Sequence, residues 1–368
     1  MLTPIGKVGT LQNDRSIGID CLRAIAILWV VAYHFVPLSI FSKGTYGVLL
    51  FFAVSGYCIS FSASSSKSAW DFYAKRLGRL LPALIFATLL ITAIKHLFPQ
   101  FIEANRIPTW FHAFYTLFAL PTLHILKINL IYPDGAFWSL DIEFQFYLLC
   151  ALLIAVGLRK YLLPAICIWC LIRFALSSPK NPYSNDFFAF FIAGLSVASY
   201  AAGHRMQALF GTAVALFLEA GHLLLSYQQP SVPIETSRFA MLAFSIAAVF
   251  VAAQCKAPRF LNPLAFVGLV SYPLYLLHQD LGHMALAWLD VPYSDRLVPT
   301  LIRALIVPPI LVGVGALVYF YVEKPLTGRL TGWLRRPRFP KSVWIRTAGV
   351  SPDDQPQIAE RDLEQQRV

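Results

Sequence analysis

Ile17-Gly-Ile-Asp-Cys-Leu-Arg-Ala-Ile-Ala-Ile-Leu-Trp-Val-Val-Ala-Tyr-His34 is long and apolar enough to cross a bilayer, yet it carries Arg23 and His34. Charged and titratable groups are costly in hydrocarbon, so their default reading is functional. The eleven helical steps between them make about three turns, which returns both side chains to nearly the same face. At 1.5 Å per residue they stand ~16 Å apart along the axis. They cannot hydrogen-bond each other within this helix, but an elongated ligand can touch both.

The rest of the 368-residue chain has the same character. It is 57% hydrophobic and 13% charged, where a soluble domain carries about 25% charged residues. This is the composition of an integral membrane protein without a sizeable soluble domain. The first sixteen residues are polar and no small-residue cleavage site follows the first apolar run, so that run is expected to be a retained helix rather than a signal peptide. A net charge of +11 is explained by excess Lys and Arg on the cytoplasmic side, and no nucleic-acid partner is expected. Cys21, Cys58, Cys150, Cys167, Cys170 and Cys255 all fall in or beside apolar segments, so no disulfide framework is expected. Cys167-Ile-Trp-Cys170 has redox spacing but sits inside an apolar helix, where packing is the expected role.

About ten segments reach spanning length, at roughly 17–25 apolar residues each. They cover 17–37, 45–63, 79–98, 137–157, 161–177, 185–202, 207–226, 238–255, 265–288 and 299–321. The expected fold is all-α: a polytopic membrane protein of about ten transmembrane helices. Basic residues at 67–79, 159–160, 205, 256–259 and the C-terminal region place both termini in the cytoplasm. Thr109–His124 is apolar and aromatic but interrupted by Pro121, and is expected to be interfacial or re-entrant on the outer face. Residues 1–326 form the membrane domain. From 327 to 368 the chain becomes a basic and then polar cytoplasmic tail: Arg335-Arg-Pro-Arg338 is suited to anionic lipid, and the last fifteen or so residues have a disordered composition. There is no recognisable internal repeat, Gly-rich phosphate loop or cluster of metal ligands.

Six places carry chemistry. His34, near the outer end of the first helix, is either an interfacial residue or a general base or nucleophile for a hydroxyl substrate. Arg23 lies three residues after Asp20, and either pairs with it while snorkelling or contacts a phosphate or pantetheine. Arg76 and Arg79, in the loop expected at Asp71–Pro82, are close enough to grip one anion, although such clusters also serve topology and lipid headgroups. In Phe137-Trp-Ser-Leu-Asp-Ile-Glu-Phe-Gln-Phe-Tyr147, Asp141 shares a helix face with Gln145, and Glu143 with Tyr147. Carboxylates there require a polar cavity or a partner helix. Finally, His278 and Gln279 place polar groups at membrane depth, and Glu323-Lys324 closes the tenth segment, where a simple interfacial ion pair is one reading.

Taken in order, these segments resemble the integral-membrane acyltransferase-3 family. The matches are Asp20-Cys-Leu-Arg23 with His34; Gly47-Val48 leading to Phe51-Phe52-Ala-Val-Ser55-Gly56; Arg76-x-x-Arg79; Trp138-Ser139-Leu-x-x-Glu143 with Gln145-Phe-Tyr147; Ser271-Tyr272-Pro-Leu-Tyr275 with His278; and Glu323-Lys-Pro325. The resemblance implies a multi-pass enzyme of the bacterial cytoplasmic membrane. It would move an acyl group, commonly acetyl, from cytoplasmic acyl-CoA to a hydroxyl of a carbohydrate or other envelope molecule. Acyl-CoA is then a co-substrate, with no permanently bound cofactor and no metal. Carried over residue by residue, the resemblance makes Arg23 and His34 the essential pair, with Glu143 beside them. Arg76 and Arg79 become the CoA-side arginines. Asp20, Trp138, Ser139, Ser271, Tyr272, His278 and Glu323 become supporting residues. Leu49 departs from the family pattern, where aspartate often follows glycine-valine, and the family's frequent extracytoplasmic hydrolase-like domain is expected to be missing. Two other classes remain open on the residues alone. One is a transporter or flippase for lipid-linked saccharides using Asp141, Glu143 and His278 as a relay. The other is a scaffold whose polar groups only hold helices together.

Overall fold

A computed structural model describes residues 16–120, 131–176, 187–228, 236–255, 257–292 and 296–336. Among the described residues there is helix and no strand. The first helix, α1 (Ile17–Phe35), begins where the Ser16 hydroxyl accepts the Ile19 amide, and ends before extended Val36, which precedes Pro37. α2 spans Tyr46–Ser64. α3 spans Ala69–Leu97, ten residues earlier than its expected start at 79. Ser68 caps it by accepting the Asp71 amide at 3.0 Å, and the helix runs on through Gly78 and Pro82. The loop expected around Arg76 and Arg79 is therefore helix.

Next come α4 (Trp110–Ala119), α5 (Trp138–Ala155), α6 (Leu162–Ala175) and α7 (Phe188–Ala201). α4 has ten residues, about 15 Å of helix, and cannot span. It turns Trp110, Phe111, Phe114 and Phe118 outward. The Pro121 interruption and His124 lie outside the described residues. α8 (Arg205–Gln228) and α9 (Thr236–Gln254) follow.

The ninth expected segment is broken into α10 (Asn262–Leu269), α11 (Ser271–Leu277) and α12 (Gln279–Trp288). α10 and α11 bend by 44°. Pro273 lacks the amide that would bond Leu269, and its ring clashes with that carbonyl, so the helix stops there. The same rule places the end of α13 (Leu297–Leu305) four residues before Pro309, and a π turn at Tyr319–Glu323 just before Pro325. α14 (Val307–Val318) and α15 (Lys324–Leu334) complete the chain.

All ten expected segments contain helix, but among the described residues seven helices are long and apolar enough to cross a membrane, or up to eight if the bent pair is one span. Leu162–Ala175 and Phe188–Ala201 have 14 residues each. Large apolar side chains such as Ile85, Leu89, Leu152, Leu209 and Leu317 face outward, as a lipid-exposed surface requires.

Helix packing in lipid depends on close fit rather than apolar burial. Gly56 of α2 and Gly194 of α7 supply it. A Cβ on Gly56 would stand 2.1 Å from the Phe191 carbonyl oxygen, and one on Gly194 1.9 Å from that of Ala53. Phe146 of α5 stacks on Phe191 at 4.1 Å, and Phe52 of α2 at 4.8 Å, which joins the three helices.

At 29 residues α3 is about 43 Å long, more than the ~30 Å hydrocarbon core. α15 packs along its N-terminal part. The Trp70 indole donates to the Leu334 carbonyl at 2.7 Å, Arg335 pairs with Asp71 at 2.5 Å, and Thr331 sits against Gly78. The polar stretch from 327 thus begins as docked helix. Residues 337–368, with Arg338 and the expected disordered end, lie outside the described residues.

Candidate functional site: an arginine pocket and a histidine cluster

α1, α2, α3, α5 and α11 line an open pocket. Its charged walls are Arg23, Arg76, Arg79 and Glu143. The helix register explains the arginines: three residues apart in α3, Arg76 and Arg79 share its inner face. Arg76 is only 5% exposed, and its Nη2 donates to the Cys58 carbonyl at 3.1 Å. Its guanidinium sits 5.3 Å from the centre of the Tyr147 ring, and its Nε is buried without a partner. Arg23 donates from Nη2 to Cys58 Sγ at 3.5 Å, and its pairing with Asp20 is long, at 3.9 Å. Arg79 repels Arg23 and lies within electrostatic reach of Glu143 and Glu323. Three cations share one space.

Glu143 is held firmly. Its Oε1 accepts a hydrogen bond from Ser55 at 2.8 Å and another from the Tyr147 hydroxyl. Tyr147 is therefore the i+4 partner that the helix spacing anticipates. Glu323, in the π turn, turns inward with Oε2 buried and without a partner, while Lys324 lies 5.5 Å from the centre of the Phe320 ring. The simple Glu323–Lys324 pair does not form.

Ser139, Ser271 and Tyr272 line the pocket, and two of them have structural work. The Tyr272 hydroxyl donates to the Leu80 carbonyl at 2.9 Å, tying α11 to α3. The Ser139 hydroxyl lies 2.7 Å from that of Tyr275, which also donates to the Ala136 carbonyl at 3.0 Å. Trp138 is outside, against Phe187 at 5.5 Å. Asp141 is half-buried near Tyr132.

His34 is not in this pocket. It stands at the other end of α1 with His278 at 5.1 Å and His283 at 6.0 Å between ring centres. A row of rings connects the two places: Phe51 to Tyr275 at 6.0 Å, Tyr275 to His278 at 5.4 Å, and His278 to His34. Tyr275 thus belongs to the pocket wall and to the histidine cluster together. Beyond the histidines lies a buried charge network. Asp280 accepts from Lys95 at 2.6 Å and from Arg106, and its backbone amide donates to Asp134 at 3.0 Å. Burial and the neighbouring Asp280 carboxylate push Asp134 up to about 7. Gln279 packs against Gly135.

Sequence reading missed Cys58, Lys95, Arg106, Asp134 and Asp280 as parts of the two sites. Ser55 and Tyr275 were visible only as motif members. A lysine at the end of an apolar helix and an aspartate two residues after His278 were the available signals, but neither names its partner.

The acyltransferase domain family model matches residues 16–321. A peptidoglycan O-acetyltransferase, OatA of Listeria monocytogenes, is 24% identical over 394 residues, covering 90% of this chain and 60% of that protein. The O-acetyltransferase OatA of Staphylococcus aureus is 30% identical over 154 residues, covering 39% of this chain and 25% of its own length. Nodulation protein 10 of Rhizobium leguminosarum is 24% identical over 329 residues, covering 75% of this chain and 87% of that protein. The chain therefore spans between a quarter and three fifths of the length of these two O-acetyltransferases. No solved structure matches it.

Proposed function

The chain belongs to the acyltransferase family whose model covers residues 16–321, and from that premise we propose that it moves an acetyl group from cytoplasmic acetyl-CoA to a hydroxyl of an envelope carbohydrate. The observation that carries the reading is the separation of two chemistries along α1. Arg23, Arg76 and Arg79 converge on one pocket, and His34 lies ~16 Å further along the same helix. An anion bound among three guanidinium groups is held by charge-assisted hydrogen bonds, and the buried, unpartnered Nε of Arg76 is a waiting donor. The phosphates of CoA suit that end. The pantetheine arm extends past Tyr275 and brings the thioester to His34.

In direct transfer, His34 removes the proton of the acceptor hydroxyl as its oxygen attacks the thioester carbonyl. The C–S bond breaks, CoA leaves as thiolate, and the histidine proton returns to it. In a relay, the imidazole attacks the thioester carbonyl and CoA leaves as thiolate; the acceptor hydroxyl then takes the acyl group, and its proton goes to the freed imidazole. Glu143, fixed by Ser55 and Tyr147, limits the net charge of the arginine pocket. In this reading the ten helical segments sit in a bacterial cytoplasmic membrane with both chain ends inside, so the arginines face the donor's compartment and His34 the acceptor's.

The test is label transfer from acetyl-CoA in membranes holding equal folded amounts of wild type or His34→Ala. Labelled envelope glycan with wild type alone supports the proposal and identifies the acceptor. Equal labelling removes His34 from the mechanism, and no labelling by either removes acetyl transfer. Competition by a CoA analogue must also weaken in Arg76→Ala plus Arg79→Ala; unchanged competition would sink the phosphate assignment.

A further inference from the structure

His278 sits where the chain passes from α11 to α12. Its Nδ1 lies 2.7 Å from the carbonyl oxygen of Tyr275. A carbonyl only accepts, so Nδ1 carries the hydrogen, and in a neutral imidazole that leaves Nε2 as a bare lone pair. This Nε2 is buried and has no partner, while the ring itself is fully buried. Buried acceptors are normally satisfied, and one that is not needs an explanation. The rings around it include His34, at 5.1 Å and 63° between planes, and Tyr275 at 5.4 Å. The Tyr275 hydroxyl is already engaged with Ser139 and the Ala136 carbonyl.

We propose that His278 is the positioning residue of His34: its Nε2 accepts the N–H of His34, and the other nitrogen of His34 is left free to act on the substrate. This rests on the reading of His34 as the reacting residue. The arrangement follows the general rule that a base or nucleophile is oriented by a third group, and that such bonds tighten from looser geometry when substrate binds. The fold holds His278 rigidly from both sides. Upstream, the Tyr275 hydroxyl is tied to Ser139 and Ala136. Downstream, Asp280 is pinned by Lys95, Arg106 and Asp134. His283, at 6.0 Å from His34, is half-buried and packs on Phe35.

Two amides separate this role from a merely structural one. A glutamine side chain reaches the place of Nε2 with its carbonyl; an asparagine reaches only the place of Nδ1. Wild type, His278→Gln, His278→Asn and His278→Ala are compared at equal folded amounts. One readout is the rate at which diethyl pyrocarbonate modifies His34, followed by peptide mass spectrometry. The other is kcat and KM for acetyl transfer. The expected ranking has His278→Gln within about 10-fold of wild type in both His34 reactivity and kcat. His278→Asn and His278→Ala fall on the order of 100-fold in kcat with little change in donor KM. Any other ranking overturns the proposal, in particular asparagine matching glutamine, or alanine matching wild type. If His278→Ala does not fold, the glutamine–asparagine comparison decides alone. If wild type transfers no acetyl group, the functional reading fails while His34 modification still judges the pairing.

Discussion

Lys95→Met probes the buried charge network directly. Lys95 and Asp280 are each about 1% exposed and paired at 2.6 Å. Removing one member of such a pair leaves an uncompensated buried charge, a loss of roughly 3–5 kcal/mol. Arg106 still reaches Asp280, but its side chain is 36% exposed and partly screened. The loss should therefore sit near the lower bound, about 3 kcal/mol. For a chain of this size that lowers Tm by roughly 4 °C. Adding Asp280→Asn removes the stranded charge, so Lys95→Met plus Asp280→Asn should recover most of the loss. Thermal unfolding of the purified protein in detergent, read by size-exclusion chromatography after heating, measures both. A single variant as stable as wild type would refute the reasoning. So would a double variant showing the simple sum of its two single effects, because coupling is the claim.

Other consequences are open to measurement. Tyr147→Phe and Ser55→Ala each leave Glu143 one hydrogen bond, and together leave it neither; acetyl transfer in a double-mutant cycle should fall more in the pair than the singles add to. Gly194→Leu forces a side chain into a site where Cβ alone meets the Ala53 oxygen at 1.9 Å, whereas Gly313→Ala meets nothing within 4 Å. Expression and monodispersity should collapse in the first and persist in the second. Asp134 is raised to about 7 from its ordinary value near 3.8. A raised carboxyl stabilises the fold while protonated, and that contribution fades as pH climbs through the folded value. Stability of Asp134→Asn relative to wild type should thus increase from pH 5 to 7. A constant difference by thermal unfolding would contradict the assignment.

Much of the organisation is legible in order along the chain. Apolar runs fix where helices form, because each must satisfy its own backbone in lipid. Prolines explain the breaks: Pro273, Pro309 and Pro325 each disturb the turn four residues earlier, a local steric effect. The start of α3 was not legible from hydropathy, since Arg76 and Arg79 look like the end of an apolar segment. Their charge is tolerated inside the helix because they face a pocket, and only neighbouring helices create that pocket. Trp138 and Lys324 show the same limit, as motif position says nothing about which way a side chain turns.

The sequence by itself determined an all-helical, strongly apolar chain, the shared face of Arg23 and His34, and the i, i+4 pairing of Glu143 with Tyr147. Those properties depend on composition and on the 3.6-residue period, which are local. The tertiary structure alone decided that three arginines share one space, that Ser55 reaches Glu143 from another helix, and that Lys95 meets Asp280. It alone set His278 beside His34 with one nitrogen unsatisfied. Residues up to 244 positions apart are brought together there by helix packing, and close packing depends on fit between surfaces that no single segment contains.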